Sequence, residues 1–288
     1  MRMMELARDK IENLHLSTKE SHHVLSGENN QCTQKEYNDD HLVNHDHRRV
    51  VVGGIFSPVS NLYEKKGLLP ASIRVELTRL ACISASDWLA VSNWECSQSC
   101  WLRTRVVLDH IYSTLNNTYS NLSNSDETDI DSVPRKKTCS VPGSFYHRSC
   151  YCRKNNTANV LLSKPCVKLV CGADLLESFK TPKLWSAEDI ETIVRDYGII
   201  CISRPSYDPL KIINESNILG KYKDNVSLVI DNCQNSLSST FIRHALSHGE
   251  SVRYLVPDRT LEYIYTHKLY GAKKRSVNQL ESKTKIEV

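Results

Sequence analysis

The stretch CVKLVC (166–171), running straight into Gly172-Ala-Asp174 and the helical register of LLESF (175–179), decides how this chain folds. A short apolar run that ends on a glycine turn and passes directly into a helical pattern is a buried strand feeding a helix. The same grammar recurs on either side. Downstream, Ser186-Ala-Glu-Asp189 is a helix-start pattern before a helix over 190–197, and GIICIS (198–203) is the next strand. A further strand covers 226–230, and helices cover 238–248 and 258–267. Upstream, RVVVGGIF (49–56) is a strand closed by Ser57-Pro58, and WLAVS (88–92) is another. A helix between them starts at Pro70, with Ile73, Leu77, Leu80 and Ala81 on one face, and a long helix spans 97–115. The chain opens on a helix over 1–14, where Met3, Met4, Ala7 and Ile11 recur at helical spacing. Strands that are continuous apolar runs, alternating with helices, imply a parallel sheet covered on both faces.

Two stretches break the alternation. Residues 15–48 are polar and rich in His, Asn, Asp and Glu, and residues 116–163 are rich in Ser, Asn, Thr and Asp. Both read as polar insertions, the second of them disordered, and 270–288 as a flexible tail, all within one domain over 1–288. The chain has 288 residues, 40% of them hydrophobic, enough for one large α/β core. A net charge of +4 suits an anionic small molecule as well as a nucleic acid and decides neither. No run of 18 apolar residues is present and no apolar leader opens the chain, so an intracellular protein with its 11 cysteines as free thiols is expected.

In an open parallel sheet, ligands bind outside the carboxyl ends of the strands, so the residues just past each strand are the candidates. After the first come Ser57 to Gly67, including Lys65 and Lys66, which can hold phosphate as point charges or form an ordinary solvated pair. After the third come Gly172, which allows close backbone approach, and Asp174, which can accept from a ribose hydroxyl. Trp185, in a Pro-flanked loop, can stack on an aromatic base or serve as a half-buried anchor. The most chemical stretch is Asn235 to Arg243. Two serines and a threonine open a helix there, and Arg243 in its first turn can fork onto phosphate oxygens. The competing reading makes Ser238 a plain N-cap and Arg243 a solvated side chain.

Taken in order, these stretches resemble the eukaryotic nicotinamide/nicotinate mononucleotide adenylyltransferases. The resemblance rests on GGIFSPVSNLYEKKGLLPASIR (53–74), WECSQSCWLRT (94–104), VKLVCGADLLESF (167–179), PKLWSAEDI (182–190), YGIICISR (197–204), SLSSTFIRHAL (236–246) and SVRYLVPDRTLEYI (251–264), with MRMMELARD (1–9) as a further match. It implies a Rossmann-like, doubly wound parallel sheet of the nucleotidyltransferase type. It also implies adenylyl transfer from ATP to the mononucleotide, giving the dinucleotide and pyrophosphate, with Mg²⁺ carried on the ATP phosphates. On this resemblance Lys65 and Arg243 are the catalytic cations. Trp101 and Thr104 shape the mononucleotide pocket, Trp185 stacks on the pyridine ring and Leu184 lies beside it. Gly172 and Asp174 meet ribose and adenosine, Asn235 sits near adenine, and Ser239, Thr240, Phe241, Ile242 and Arg243 bind ATP. No protein metal ligand, membrane or nucleic-acid partner is implied; a homo-oligomer and a nuclear or cytoplasmic location are.

Two departures accompany the match. The family opens with an apolar strand and a Gly-Ser-Phe-x-Pro-x-Thr-x-x-His loop, and Met1 falls just after that His. The chain is therefore expected to lack both strand and loop, and as a truncated or splice form to be poorly active. Phe241 also replaces the family's usual polar or basic residue. Three rival readings stay open. One is a nucleotide-binding or chaperone-like scaffold without turnover. The second is a metal site at Cys139, His147, Cys150 and Cys152, or in the stretch with His22, His23, His41, His45 and His47. The third is a basic import signal at Pro134-Arg135-Lys136-Lys137.

Overall fold

A computed structural model describes residues 1–12, 50–63, 65–123, 164–233 and 237–273. The first polar insertion, most of the second, the cysteine, histidine and basic clusters within them, Asn235 and the final 15 residues of the tail all lie outside the described residues.

Five short strands form among the described residues, all in parallel pairs. β1 (Gly54–Phe56) pairs with β2 (Leu89–Val91), Gly54 opposite Leu89 and Phe56 opposite Val91. β3 (Leu169–Gly172), β4 (Ile199–Ile202) and β5 (Val226–Val229) pair in that order, Leu169 opposite Ile199 and Ile199 opposite Val226. Parallel pairing requires a crossover, and helices supply each one. α2 (Ala71–Ala85) links β1 to β2. α4 (Ala173–Ser178) and α5 (Ala187–Thr192) link β3 to β4. α6 (Pro209–Glu215) and α7 (Asn217–Lys221) link β4 to β5.

The expected single sheet is, among the described residues, two sheets of two and three strands. The ladder of β1 stops at β2 and that of β3 stops at β4, with no hydrogen bonding across. α1 (Arg2–Glu12) spans the junction by packing. Its Met1 and Met4 meet Leu89, Val91, Phe56 and Trp88, while Met3, Leu6, Ala7 and Ile11 meet Ile200, Ile202, Val170 and Val229.

The three-stranded sheet is buried on both faces, and β4 shows why its sequence is uniformly apolar. Side chains alternate across a strand. Ile199 and Cys201 face the main core with Leu176, Ile193, Val194, Ile213 and Leu219, whereas Ile200 and Ile202 face α1. A separate cluster joins α8 (Ser239–Ser247) and α9 (Asp258–Thr266) through Ala245, Leu246, Val252, Leu261 and Ile264, with Ile73 and Leu77 of α2 packed against it.

Several boundaries differ from the sequence reading. The run at 49–56 yields a strand only from Gly54: Val51 N donates to Glu12 Oε1 (3.1 Å) instead of a neighbouring strand, and Val52 is 86% exposed. The long helix does not start at 97. A short 3₁₀ turn (Glu95–Ser97) comes first, then α3 (Thr104–Ser123), so residues 116–123 are helix rather than insertion. The helix over 190–197 is α5 followed by a wider π turn (Ile193–Tyr197), ended by Gly198 at φ 77°. That glycine is required twice over, since a Cβ would lie 2.9 Å from Asn225 O. The tail is packed as far as Ala272, which is buried. α6 and α7 were not foreseen although their signals are present. Asp208 caps Lys211 N with Pro209 at the first helical position, and Ser216 caps Leu219 N. The seven described cysteines are all free thiols, and no described helix is long and apolar enough to cross a membrane.

Candidate functional site

Two clusters form where the strands end. The first is built on the loop after β1. Ser57 Oγ donates to Glu95 Oε2 (2.6 Å), and Cys96 Sγ donates to Pro58 O (2.8 Å). The Arg74 guanidinium donates to Val59 O (2.6 Å) and Leu69 O (2.9 Å), and Asn61 Oδ1 accepts from Ala71 N (2.6 Å). α2 and the turn after β2 thus hold both ends of a loop that would otherwise be free to move. Asn61, Tyr63, Lys65, Leu68, Leu69, Pro70 and Arg74 line a cavity of about 300 Å³.

Arg243 reaches the same loop from α8. Its Nε lies 3.9 Å from where a Cβ on Gly67 would stand, and its guanidinium donates to Thr240 Oγ1 (3.1 Å). Both Arg243 and Arg74 favour the ionised form of Tyr270, although burial dominates and pushes that phenol up. The structure therefore joins the Lys65 loop and the α8 N-terminus into one positively charged corner. Ser238 is the N-cap and accepts from Phe241 N (3.1 Å). Ile242 N donates to Ser238 O (3.0 Å), and the N–H groups of Ser239 and Thr240, in the first turn, have no partner within the helix. Phe241 is 45% exposed. The side chain of Ile242 packs against the α8–α9 cluster.

Glu95 was not singled out from sequence, because its partners are 38 and 21 residues away. Its side chain sits at 8% exposure. Burial raises its carboxyl above the ordinary 4.5, against the Ser57 hydroxyl and Arg74, which pull it down. A raised carboxyl contributes stability that is complete below its unfolded value and is lost as pH rises through the folded one. Glu95→Gln keeps an acceptor for Ser57 without the charge. Its melting temperature should match the native chain at about pH 4 and exceed it increasingly as pH rises above the ordinary carboxylate range. A difference independent of pH in such melts would count against this account.

The second cluster lies at the ends of β3 and β4. Asp174 Oδ1 pairs with Arg204 Nε (3.2 Å), an arginine not assigned from sequence. Gly172 makes room for this pair, since a Cβ would meet Asp174 Oδ1 and lie 2.8 Å from Arg204 Nε, so that both side chains would have to shift. Nearby, Trp185 stands edge-on to Phe179 (4.8 Å, 74°) and donates Nε1–H to Ser178 Oγ (3.1 Å). Those two contacts fix the ring plane, and the rest of the partly buried ring packs against the main core. Leu184 is 49% exposed beside it, and Trp101 is 44% exposed just before Thr104 opens α3. Among the described residues no group of three or more His, Cys, Asp or Glu is arranged to hold a metal.

No protein-family model matches the chain. Individual relatives do. It is 40% identical over 228 residues to nicotinamide/nicotinic acid mononucleotide adenylyltransferase 1 of Bos taurus, covering 79% of each chain. It is 38% identical over 227 residues to nicotinamide-nucleotide adenylyltransferase of Drosophila melanogaster, covering 79% of this chain and 54%, about half, of that one. It is 36% identical over 220 residues to the nicotinamide/nicotinic acid mononucleotide adenylyltransferase of Oryza sativa subsp. japonica, covering 76% of this chain and 72% of that one.

Proposed function

The chain belongs to the nicotinamide/nicotinic acid mononucleotide adenylyltransferases, and on that premise we propose that it joins ATP to a pyridine mononucleotide in the corner between the Lys65 loop and α8. The observation that supports the reading is the approach of the Arg243 guanidinium, from α8, to Gly67 at the end of the Lys65 loop. The relatives' names describe enzymes, which favours turnover over a scaffold that only binds nucleotide.

The mononucleotide 5′-phosphate attacks the α-phosphorus of ATP. A new P–O bond forms, the bond to the β-phosphate oxygen breaks, and pyrophosphate leaves. No protein nucleophile is needed, so the work is positioning and charge neutralisation. Arg243 and Lys65 would face the ATP phosphates, joined by the first-turn N–H groups of Ser239 and Thr240. Asp174 and Gly172 would meet the ribose and adenosine, and Asn235 the adenine. Trp185 would stack on the pyridine ring, with Leu184, Trp101 and Thr104 around it. The donor set fits ATP carrying its own Mg²⁺: cations here suit phosphate oxygens, and a metal with few protein ligands is normally held by the substrate's phosphates. That ion would add charge neutralisation at the phosphates.

The test is NAD formation from nicotinamide mononucleotide, ATP and Mg²⁺ by the purified chain, beside Trp185→Ala. The native chain should form NAD and pyrophosphate. The variant should show a KM for the mononucleotide raised about tenfold, the loss of one aromatic stack. No product from folded native chain would overturn the reading.

A further inference from the structure

Asp189 is the most buried carboxylate among the described residues, its side chain only 3% exposed, and the phosphate chemistry above does not use it. Two arginines grip it, one on each oxygen. Arg103 Nη1 stands 2.8 Å from Oδ2 and Arg105 Nε 2.7 Å from Oδ1. These arginines flank Thr104 on either side. Asp189 lies four residues past Trp185, in the first turn of α5. The grip is braced from behind: Arg105 Nη1 also meets Asp109 Oδ2 (2.7 Å), whose other oxygen accepts from Tyr197 Oη (2.6 Å). One carboxylate therefore ties the Trp101–Thr104 corner at the start of α3 to the Leu184–Trp185 loop at the start of α5. Those two segments have few other polar links among the described residues, because the side chains of Trp101 and Leu184 are apolar and half exposed.

We propose that Asp189 is a positioning residue for the pyridine end of the site, setting the gap between the Trp101–Thr104 corner and the Trp185 loop through Arg103 and Arg105. It touches no substrate. Its effect is selective, since the Lys65 loop is held by other contacts, those of Arg74, Glu95 and Asn61, and Arg243 by Thr240 in its own helix. Loosening the clamp should weaken the mononucleotide and leave ATP alone. The proposal rests on the assignment of the pyridine ring to Trp185.

The experiment compares steady-state kinetics of the full chain with Asp189→Asn, Arg103→Ala and Asp189→Glu, varying each substrate in turn. Binding of nicotinamide mononucleotide alone is followed by calorimetry. Asp189→Asn should raise KM and Kd for the mononucleotide by about tenfold or more, with KM for ATP within about twofold. Arg103→Ala should move the same way by less, and Asp189→Glu should recover part of the loss. Arg103 is half exposed, so its variant keeps the test alive should Asp189→Asn fail to fold. A purely structural role would lower the amount of active enzyme, cutting kcat with both KM values unchanged; that pattern, or parallel rises for both substrates, would overturn the proposal. Failure of the functional reading looks different, as native chain that neither turns over nor binds mononucleotide.

Discussion

Replacing Arg243 with alanine should cut NAD formation by about 10²–10³-fold while leaving the fold intact. The guanidinium makes one side-chain hydrogen bond, to Thr240 Oγ1 in its own helix turn, and that hydroxyl is exposed enough to find water instead. Little stability is therefore at stake, and the melting temperature should stay within about 2 °C of the native chain. Catalysis is another matter. Charge builds on the transferring phosphoryl group and the leaving pyrophosphate. On the proposed function, a fork-shaped cation fixed beside the Lys65 loop would stabilise that charge at no cost of reorganisation, an effect of about 3–4 kcal/mol when one such donor is lost. Lysine at the same position should recover only part of the loss, because a point charge cannot bridge two oxygens. Assays of kcat/KM with ATP varied, paired with thermal melts, check both halves. Turnover within about threefold of native would remove Arg243 from the reaction.

Ile200→Ala should destabilise the chain by about 2–5 kcal/mol. Ile200 is 1% exposed, on the central strand of the three-stranded sheet, and faces α1 rather than the main core. Truncation leaves a cavity between β4 and the Met3, Leu6 and Ala7 face of that helix. The strand cannot move to fill it, since both edges of β4 are hydrogen-bonded, to β3 and to β5. The loss is a large share of a typical stability of about 5–15 kcal/mol. Because α1 also carries Met1 and Met4 into the β1–β2 cluster, loosening its seat should weaken the contact between the two sheets. Urea denaturation measures the first effect, and faster amide exchange in α1 and β1 reports the second. A cost below about 1 kcal/mol would mean that α1 closes onto the gap.

What was legible around the candidate site was its local geometry. The N-cap role of Ser238 follows from a serine placed before a helical pattern, and the bond to Phe241 N bears it out. Gly172 was singled out for close approach. The contact it permits in the structure is with Asp174 and Arg204, from its own chain. Ile242 sits in a phosphate-binding type of sequence, yet its side chain faces α9, a partner that local pattern cannot reveal. Glu95, Arg74 and Asp189 were invisible for the same reason. A lone charged residue in a sequence reads as solvated surface, and Glu95 and Asp189 are buried, with Arg74 partly so, only because their partners arrive from elsewhere in the chain.

By itself, the sequence determined the kind of elements and their order. Continuous apolar runs joined by helical periods can be satisfied only by parallel strands with covering helices, so the αβ alternation and the strand-end location of the chemistry were readable. Which ladders close, and where, was decided only in three dimensions. Each strand needs a hydrogen-bonding edge, and the edges present divide the strands into a pair and a triplet joined through the side chains of α1. The pairing of cations with the Lys65 loop and the clamp on Asp189 belong to that same level. Both depend on contacts between residues 84 or more positions apart, and no local rule of spacing encodes such a distance.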